Sequence, residues 1–423
     1  MSTFEECFVD AIKEAHVPPR PLENGECQTR AGRRCNLCFA VDLQYEDERR
    51  IKNTSLQKFW RQQFPTVQLS SLVCSPRERC YRTVTKRKAF ASNGTVQLGL
   101  IGLTARGAQK PMDVMRCAIE PPEHAVIYDQ TQQSLGKPYA EPLARELKYV
   151  IIKGSYTEFS VILNVHSISP TLVRSANTLS KSLTHVCDKI TGVFLFEDDS
   201  DGSYYLGSAE TRQARRFRKI FGKGEIYQTT LGRSFLYSPL SFSQVNQSII
   251  EPMVTEARKL LDLNKTVGVF DLYCGYGLFG LCLSDRAKTV TGVDMSHASV
   301  ASAIANSRRQ KAENVRFVQS DITADSLPRT LKNAGQGDVV ILDPPRSGTA
   351  EGVIELIAAK QPARVLHVFC EIDLISKEIE RWEKSGYRVS RAIPFDMFPG
   401  TAEVEVMVLL EPDNERKRRV PPN

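Results

Sequence analysis

From residue 266 onward, short apolar runs rich in β-branched residues alternate with stretches whose apolar and small positions recur at helical spacing. The runs are TVGVFD (266–271), TVTGVD (289–294), NVRFVQ (314–319), DVVILD (338–343), RVLHVF (364–369), YRVSRAIPF (387–395) and VEVMVLL (404–410). Among the helical patterns between them is SHASVASAIANSRRQKA (296–312). Strand alternating with helix predicts a parallel sheet covered by helices on both faces. The last two runs are joined by DMFPGTAE (396–403) with no helix, which predicts an antiparallel pair at one edge.

The pattern before residue 235 is different. Residues 147–166 read as a β-hairpin, 169–183 as a helix, and 192–208 as a second hairpin turning at Asp201-Gly202. This is the mixture expected of an α+β domain. The division predicted is a cysteine-bearing region with the start of a central domain (1–125), the rest of that α+β domain (126–235), and a seven-stranded Rossmann-like α/β domain (236–423). A short basic tail, ERKRRVPPN, closes the last of these.

Composition narrows the class. With 41% hydrophobic and 25% charged residues the chain is that of a globular protein, and its apolar runs are far shorter than a membrane span. The first residues lack the basic-then-apolar order of an export signal, so a cytoplasmic location is expected and the 11 cysteines are expected as thiols, metal ligands or catalytic groups. The net charge of +7 is unevenly spread: residues 1–235 hold 33 basic and 25 acidic side chains, and the remainder 23 and 24. Two stretches, 77–88 and 212–223, carry six basic residues each, with Tyr81, Phe217 and Phe221 interleaved as surfaces on which bases can stack. Either stretch alone is as well explained by a solvated surface; the asymmetry between halves favours a polyanion partner for the first.

The first predicted strand runs into DLYCGYGLFG (271–280), whose Gly275, Gly277 and Gly280 form G-x-G-x-x-G. Asp294 closes the second strand, where a carboxylate can accept ribose hydroxyl protons. Such a turn can hold NAD or S-adenosylmethionine. Asp271, at the mouth of the loop, would repel a pyrophosphate but tolerate a sulfonium, and DPPRSG (343–348) adds a second acid at the same edge. These features favour a methyltransferase over a dehydrogenase. The fifth strand ends at Cys370, just before a helix expected from about Asp373. A thiol there feels the positive end of a helix dipole, which predicts a lowered pKa; most cysteines are simply buried small apolar residues, and the position at the ligand edge sets this one apart.

With SFSQVNQ, DLYCGYGLFG, TGVDMSHASVASA, VVILDPPRSG, RVLHVFC and GYRVSRAIPFDMFPGTAEVEVMVLL, residues 235–411 resemble the catalytic domain of the iron–sulfur family of RNA uracil-C5 methyltransferases. Upstream, CQTRAGRRCNLC places Cys27, Cys35 and Cys38 in that family's cysteine pattern. The resemblance is nearest to the branch acting on large-subunit rRNA without an N-terminal TRAM barrel, since only 26 residues precede Cys27. It implies Cys370 as the nucleophile adding to uracil C6 and Glu405 as the base removing the C5 proton, with Glu403 the rival base. It implies Gln244, Tyr273, Asp294 and Asp343 as contacts of S-adenosylmethionine. Its substrate would be RNA, rRNA first and the tRNA T-loop second, methylated by a monomer. The cysteines suit zinc or a [4Fe–4S] cluster, and the fourth ligand has three candidates, Cys74, Cys80 and Cys117. The family's pattern implies a [4Fe–4S] cluster on Cys27, Cys35, Cys38 and Cys117. This chain departs from the family at Phe369 and Glu371, where Ser and Asn are usual, and a carboxylate beside the thiol would raise its pKa unless it turns away. A catalytically weakened RNA-binding homologue is therefore the competing reading.

Overall fold

The computed structural model describes residues 3–22, 26–29, 35, 37–92, 94–103, 109–198 and 217–413. In chain order its strands in the first half are β1 (Gln28–Thr29), β2 (Val84–Ser92), β3 (Thr95–Leu103), β4 (Gln109–Met112), β5 (Val114–Arg116), β6 (Leu147–Gly154), β7 (Phe159–Val165), β8 (Ile190–Glu197) and β9 (Phe217–Gly222). A hairpin of β10 (Ile226–Thr230) and β11 (Arg233–Tyr237) leads into the second half. There follow β12 (Gly268–Leu272), β13 (Thr289–Asp294), β14 (Val315–Gln319), β15 (Val339–Leu342), β16 (Arg364–Phe369), β17 (Tyr387–Phe395) and β18 (Glu405–Pro412).

The second half forms a seven-stranded sheet in the order β14-β13-β12-β15-β16-β18-β17. The first five strands are parallel, and β18 is antiparallel to both its neighbours. The closing pair stands antiparallel at one edge as expected, with β17 at the rim and β18 between β16 and β17. The inner strands β12, β15 and β16 and most of β18 are buried on both faces and read as near-continuous apolar runs, whereas the outer β14 and β17 alternate. Val406, Val408 and Leu410 face one core while Met407 and Leu409 face the other, as the two-residue period of a strand requires. Order reverses between β12 and β15, so the crevice beyond their carboxyl ends is the place for a ligand.

The first face is covered in part by two helices from the start of the chain, α1 (Phe4–Ala15) and α2 (Tyr45–Gln63). Phe4, Phe8, Leu56, Phe59 and Trp60 pack in one core with Leu342, Val365 and Val406. This N-terminal segment thus docks on the second half of the molecule. The chain following α2 runs along the rim: Ser70 and Val73 donate backbone N–H groups to Ala392 and Pro394 of β17 at 2.9 Å each, which covers an edge otherwise open to pairing.

The first-half sheet runs β4-β3-β2-β6-β7-β8-β9. The expected 147–166 hairpin is β6 and β7, and the expected helix spans Pro170–Val186, with Ser169 accepting the N–H of Leu172 as its N-cap. That helix is the crossover joining β7 to the parallel β8. The second hairpin differs from expectation: β8 pairs antiparallel with β9, and Asp201-Gly202 lies outside the described residues, as does the basic tail beyond residue 413.

Gly277 shows how closely the glycine loop fits its surroundings. It has φ 86°, and a Cβ there would sit 2.6 Å from the ring of Phe317. Left-handed backbone strain and overpacking together should make Gly277→Ala destabilising by roughly 2–4 kcal/mol in urea unfolding. Adding Phe317→Leu should recover part of that loss; an unchanged midpoint for Gly277→Ala would show that the ring yields freely.

Candidate active site

Register brings the site together. Phe369 of β16 pairs with Val406 of β18, so the next residue outward, Cys370, faces Glu405 across the antiparallel ladder. On the other side β15 runs parallel to β16 with Leu342 opposite His367, and the chain leaving β15 delivers Asp343 to the same edge. The Cys370 thiol donates to the carbonyl of Pro344, Sγ to O 3.8 Å. A helix follows Cys370, beginning with a 3-10 turn at Ile372.

The electrostatics reverse the expected direction at Cys370. Burial, and then the negative charges of Glu405 and Asp343, push its thiol up to about 12; Arg346 opposes them and the helix does not prevail. Burial and the charge of Asp343 likewise push Glu405 well above the usual carboxylate range. Glu405 is 3% exposed, and its Oε2 has no hydrogen-bond partner among the described residues. Glu403 is placed differently. It is exposed and bridges to Arg346, whose Nη1 donates to Oε1 at 3.1 Å. Glu371 also turns toward Arg346, at 3.8 Å, and is not among the groups that raise the thiol. The carboxylate that departs from the family pattern thus turns toward Arg346 at the rim. Arg346, within the quoted DPPRSG, is the residue that the sequence reading passed over; its signal was its position in that motif.

The implied cofactor residues converge on the crevice. Asp294 accepts the N–H of Gly275 at 3.0 Å and that of Ser296 at 2.7 Å, tying the glycine loop to the end of β13. Gly275 has φ 54°, and a Cβ added there would meet nothing within 4 Å, so this face of the loop is open. Gln244 Nε2 lies 3.5 Å from Asp343 Oδ2. Tyr273, at φ 64°, packs its side chain against the core under α1 and α2, so it is its backbone that stands in the crevice. Asp271 is buried, accepts the N–H of Gly280 at 2.8 Å, and is raised by burial to about 7. It braces the loop from beneath and does not stand at its mouth.

The cysteines form a second locus. β1 pairs antiparallel with β5, Gln28 opposite Arg116, which sets Cys27 against Cys117. Cys27, Cys35, Cys38 and Cys117 line one cavity of about 540 Å³, together with Arg82, Lys86, Arg346 and Glu403. Cys38 is pushed up to about 12 by burial and then by the charges of Cys35 and Cys27, and Cys117 is raised by burial and then by Glu120 and Cys38. Four sulfurs sharing one cavity fit a soft-metal group in donor type. Among the described residues, however, no group of three or more His, Cys, Asp or Glu side chains is arranged to hold a metal ion. Of the other two candidates, Cys80 opens to a neighbouring cleft and the Cys74 thiol donates to Leu72 O.

The basic stretches are partly structural. Tyr81 is fully buried and donates its hydroxyl to Pro399 O at 2.9 Å, so it offers no stacking surface. Arg87 is buried against Glu120 at 2.8 Å. Phe217 stacks on Phe194, and Phe221 is exposed on β9; residues 212–216 lie outside the described residues.

Residues 218–413 match the family model described as tRNA (Uracil-5-)-methyltransferase. The chain is 27% identical over 417 residues to an uncharacterized RNA methyltransferase of Geobacter sulfurreducens, covering 95% of this chain and 81% of that protein. It is also 27% identical over 385 residues to one from Thermotoga maritima, covering 89% and 82%. Among solved structures, that of Pyrococcus abyssi tRNA (uracil-54, C5)-methyltransferase in complex with S-adenosyl-L-homocysteine superposes with a TM-score of 0.62 at 19% identity, covering 89% of this chain and 87% of that one. No helix among the described residues is long and apolar enough to cross a membrane.

Because the thiol is raised in the free protein, Cys370 should be alkylated slowly by iodoacetamide at neutral pH and faster as pH rises. Glu405→Gln removes one of the charges that raise it, so the thiol pKa falls and labelling at a fixed alkaline pH should speed up several-fold, about what a shift of less than one unit gives. Mass spectrometry of the Cys370 peptide reads this out; rapid labelling at neutral pH would contradict the assignment.

Proposed function

We propose that the protein, whose residues 218–413 match the tRNA (uracil-5-)-methyltransferase family model, is an RNA uracil methyltransferase that methylates C5 of a uridine in structured RNA through a covalent Cys370 adduct. S-adenosylmethionine supplies the methyl group. The observation that carries the reading is the register pairing Cys370 with a buried Glu405 beside Asp343 at the ligand edge.

The reaction divides between two residues. Uracil C5 is a weak nucleophile. As a thiolate, Cys370 adds to C6, the C5–C6 π pair becomes the C4–C5 double bond while the C4 carbonyl pair moves onto O4, and the resulting enolate makes C5 reactive. After C5 has taken the methyl group, Glu405 accepts the C5 proton, the C–H pair re-forms C5=C6, and the C6–S bond breaks to return the thiolate. A raised carboxyl suits this step, because a base of higher pKa holds the proton more firmly. The raised thiol is brought down when a cationic sulfonium arrives beside Asp343 and Glu405 and offsets their charge. Gln244, Asp294, Asp343 and the backbone at Tyr273 would hold that ligand. A uracil stacked in a helix cannot present C6, so the nucleotide must be flipped out or lie in a loop.

Cys27, Cys35, Cys38 and Cys117, which line one cavity, would hold a [4Fe–4S] cluster in a structural role, with no electron transfer in the reaction. Large-subunit rRNA is the preferred substrate on the resemblance of the motifs, with the tRNA T-loop second. Mass spectrometry of both RNAs from a strain lacking the gene distinguishes them.

Two tests follow. With methyl-labelled donor and undermethylated RNA, Glu405→Gln should accumulate a labelled protein–RNA band that survives denaturation, and Cys370→Ala should give neither band nor transfer. Equal methylation by Cys370→Ala would remove the covalent mechanism, and a stalled band from Glu403→Gln in place of Glu405→Gln would move the base. For the cysteines, protein purified without air should be brown with about four irons per chain. Cys117→Ser should lose both colour and iron, while Cys74→Ser and Cys80→Ser keep them; one zinc in colourless protein would replace the cluster.

A further inference from the structure

The nine residues between β17 and β18, 396–404, end at Glu405, and their hold on the rest of the molecule is unusual for a connection of this length. Asp396, Met397, Ala402 and Val404 are buried. Every backbone carbonyl from Met397 to Gly400 is gripped from elsewhere in the chain. Asn246 Nδ2 donates to Met397 O at 3.0 Å, Lys52 Nζ to Phe398 O at 3.4 Å, Tyr81 to Pro399 O at 2.9 Å, and the N–H of Ala40 to Gly400 O at 3.0 Å.

At the centre of this grip is a charge cluster whose Lys52, Glu48 and Asp396 are fully out of water and whose Arg79 reaches the surface. Lys52 of α2 is fully buried, with Asp396 Oδ1 at 2.8 Å and Glu48 Oε1 at 3.5 Å. Tyr45 donates its hydroxyl to the other Asp396 oxygen at 2.9 Å, and Glu48 accepts the N–H of Gly400 and pairs with Arg79 at 3.3 Å. Two cations thus balance two carboxylates. A buried ion pair is a weak source of stability beside a well-packed apolar core, but its directional contacts admit one geometry. Here that geometry is applied to both ends of the loop, at Asp396 and Gly400, and the loop's far end carries a carboxylate whose position across from Cys370 decides whether a proton can move.

We propose that Lys52 is a positioning residue for Glu405, its ammonium fixing the 396–404 loop so that the carboxylate meets the proton on C5 of the adduct. The proposal rests on the reading of Glu405 as the base. It predicts a selective defect. Addition of Cys370 and transfer of the methyl group need the crevice and β16, which α2 does not grip through this cluster. Release of the adduct needs Glu405 in register, and a displacement on the order of 1 Å there costs roughly ten- to hundredfold in rate.

The test uses the full chain, methyl-labelled S-adenosylmethionine and undermethylated total RNA from a strain lacking the gene. Lys52→Met should bind the donor as the parent does and form the labelled adduct at the parent rate, but release it roughly ten- to hundredfold more slowly. Lys52→Arg, which restores a cation, should recover most of the release rate. Folded Lys52→Met that releases at the parent rate, or that slows addition and release equally, overturns the proposal. Should Lys52→Met fail to fold, Tyr45→Phe removes one contact to Asp396 and should slow release alone by a few-fold; normal release by that folded variant would equally overturn it. Glu405→Gln run alongside separates the two readings. If it turns over normally the base is misassigned. If it stalls while folded Lys52→Met releases freely, the base stands and the positioning role falls.

Discussion

The ladder between β16 and β18 is the constraint on which the site depends. Parallel strands alone would bring their carboxyl ends to one edge, and that edge would then carry Cys370, Asp343 and the glycine loop but nothing from the end of the chain. Inserting β18 the other way round sends the beginning of a strand to the edge where its neighbours end. Glu405 is the first residue of that strand, so reversal of direction, more than proximity in sequence, pairs a carboxylate with a thiol. A one-residue slip would turn Glu405 to the opposite face and put Val404 or Val406 in its place.

Around this pairing the molecule gathers negative charge. Asp271 beneath the glycine loop, Asp294 tied to it, Asp343 and Glu405 lie along this edge, and burial together with the charges of Glu405 and Asp343 keeps the thiol protonated. Arg346 is the cation facing the thiol from the rim, and Glu371 and Glu403 hold it there. Such a crevice is poor at holding a phosphate and well matched to a cation. The cysteine-lined cavity reaches the same rim from the other side, with Arg346 and Glu403 in its wall. What binds at the cysteines and what happens at Cys370 therefore share a boundary.

Much of this was legible in the chain. The seven runs of the second half coincide with its strands because inner strands buried on both faces carry a near-continuous apolar signal and outer ones alternate, without any knowledge of partners. The resemblance of the motifs gave Cys370 and Glu405, and the ladder sets the two opposite each other. Long-range pairing was not legible. Nothing local in 387–410 says that the last strand enters the sheet's interior, and nothing in 192–208 says that β8 finds its partner at 217–222. The thiol's pKa was misjudged because the helix dipole is local to Cys370, whereas the carboxylates that outweigh it arrive from 27 residues before and 35 after. Tyr81 was read as a stacking surface from its basic neighbours, but its hydroxyl belongs to a loop more than 300 residues away. Lys52 had no signal at all: in an exposed-looking helix rich in Arg, Glu and Gln, a buried lysine is indistinguishable until its partner at 396 is known.

The docking of α1 and α2 on the second half has a consequence for biogenesis. Phe4, Phe8, Leu56, Phe59 and Trp60 find their core among residues from 270 to 410. During synthesis at about 5–20 residues per second, these helices leave the ribosome on the order of tens of seconds before the strands that cover them exist. For that interval an apolar face has no native partner and the ammonium of Lys52 has Glu48 but not Asp396, and the first-half sheet must fold between two segments that are waiting for each other. The chain's two ends close last, so the nascent protein is a client for whatever shields apolar surface at the ribosome, and the catalytic edge is completed only when the final strand slides in beside β16.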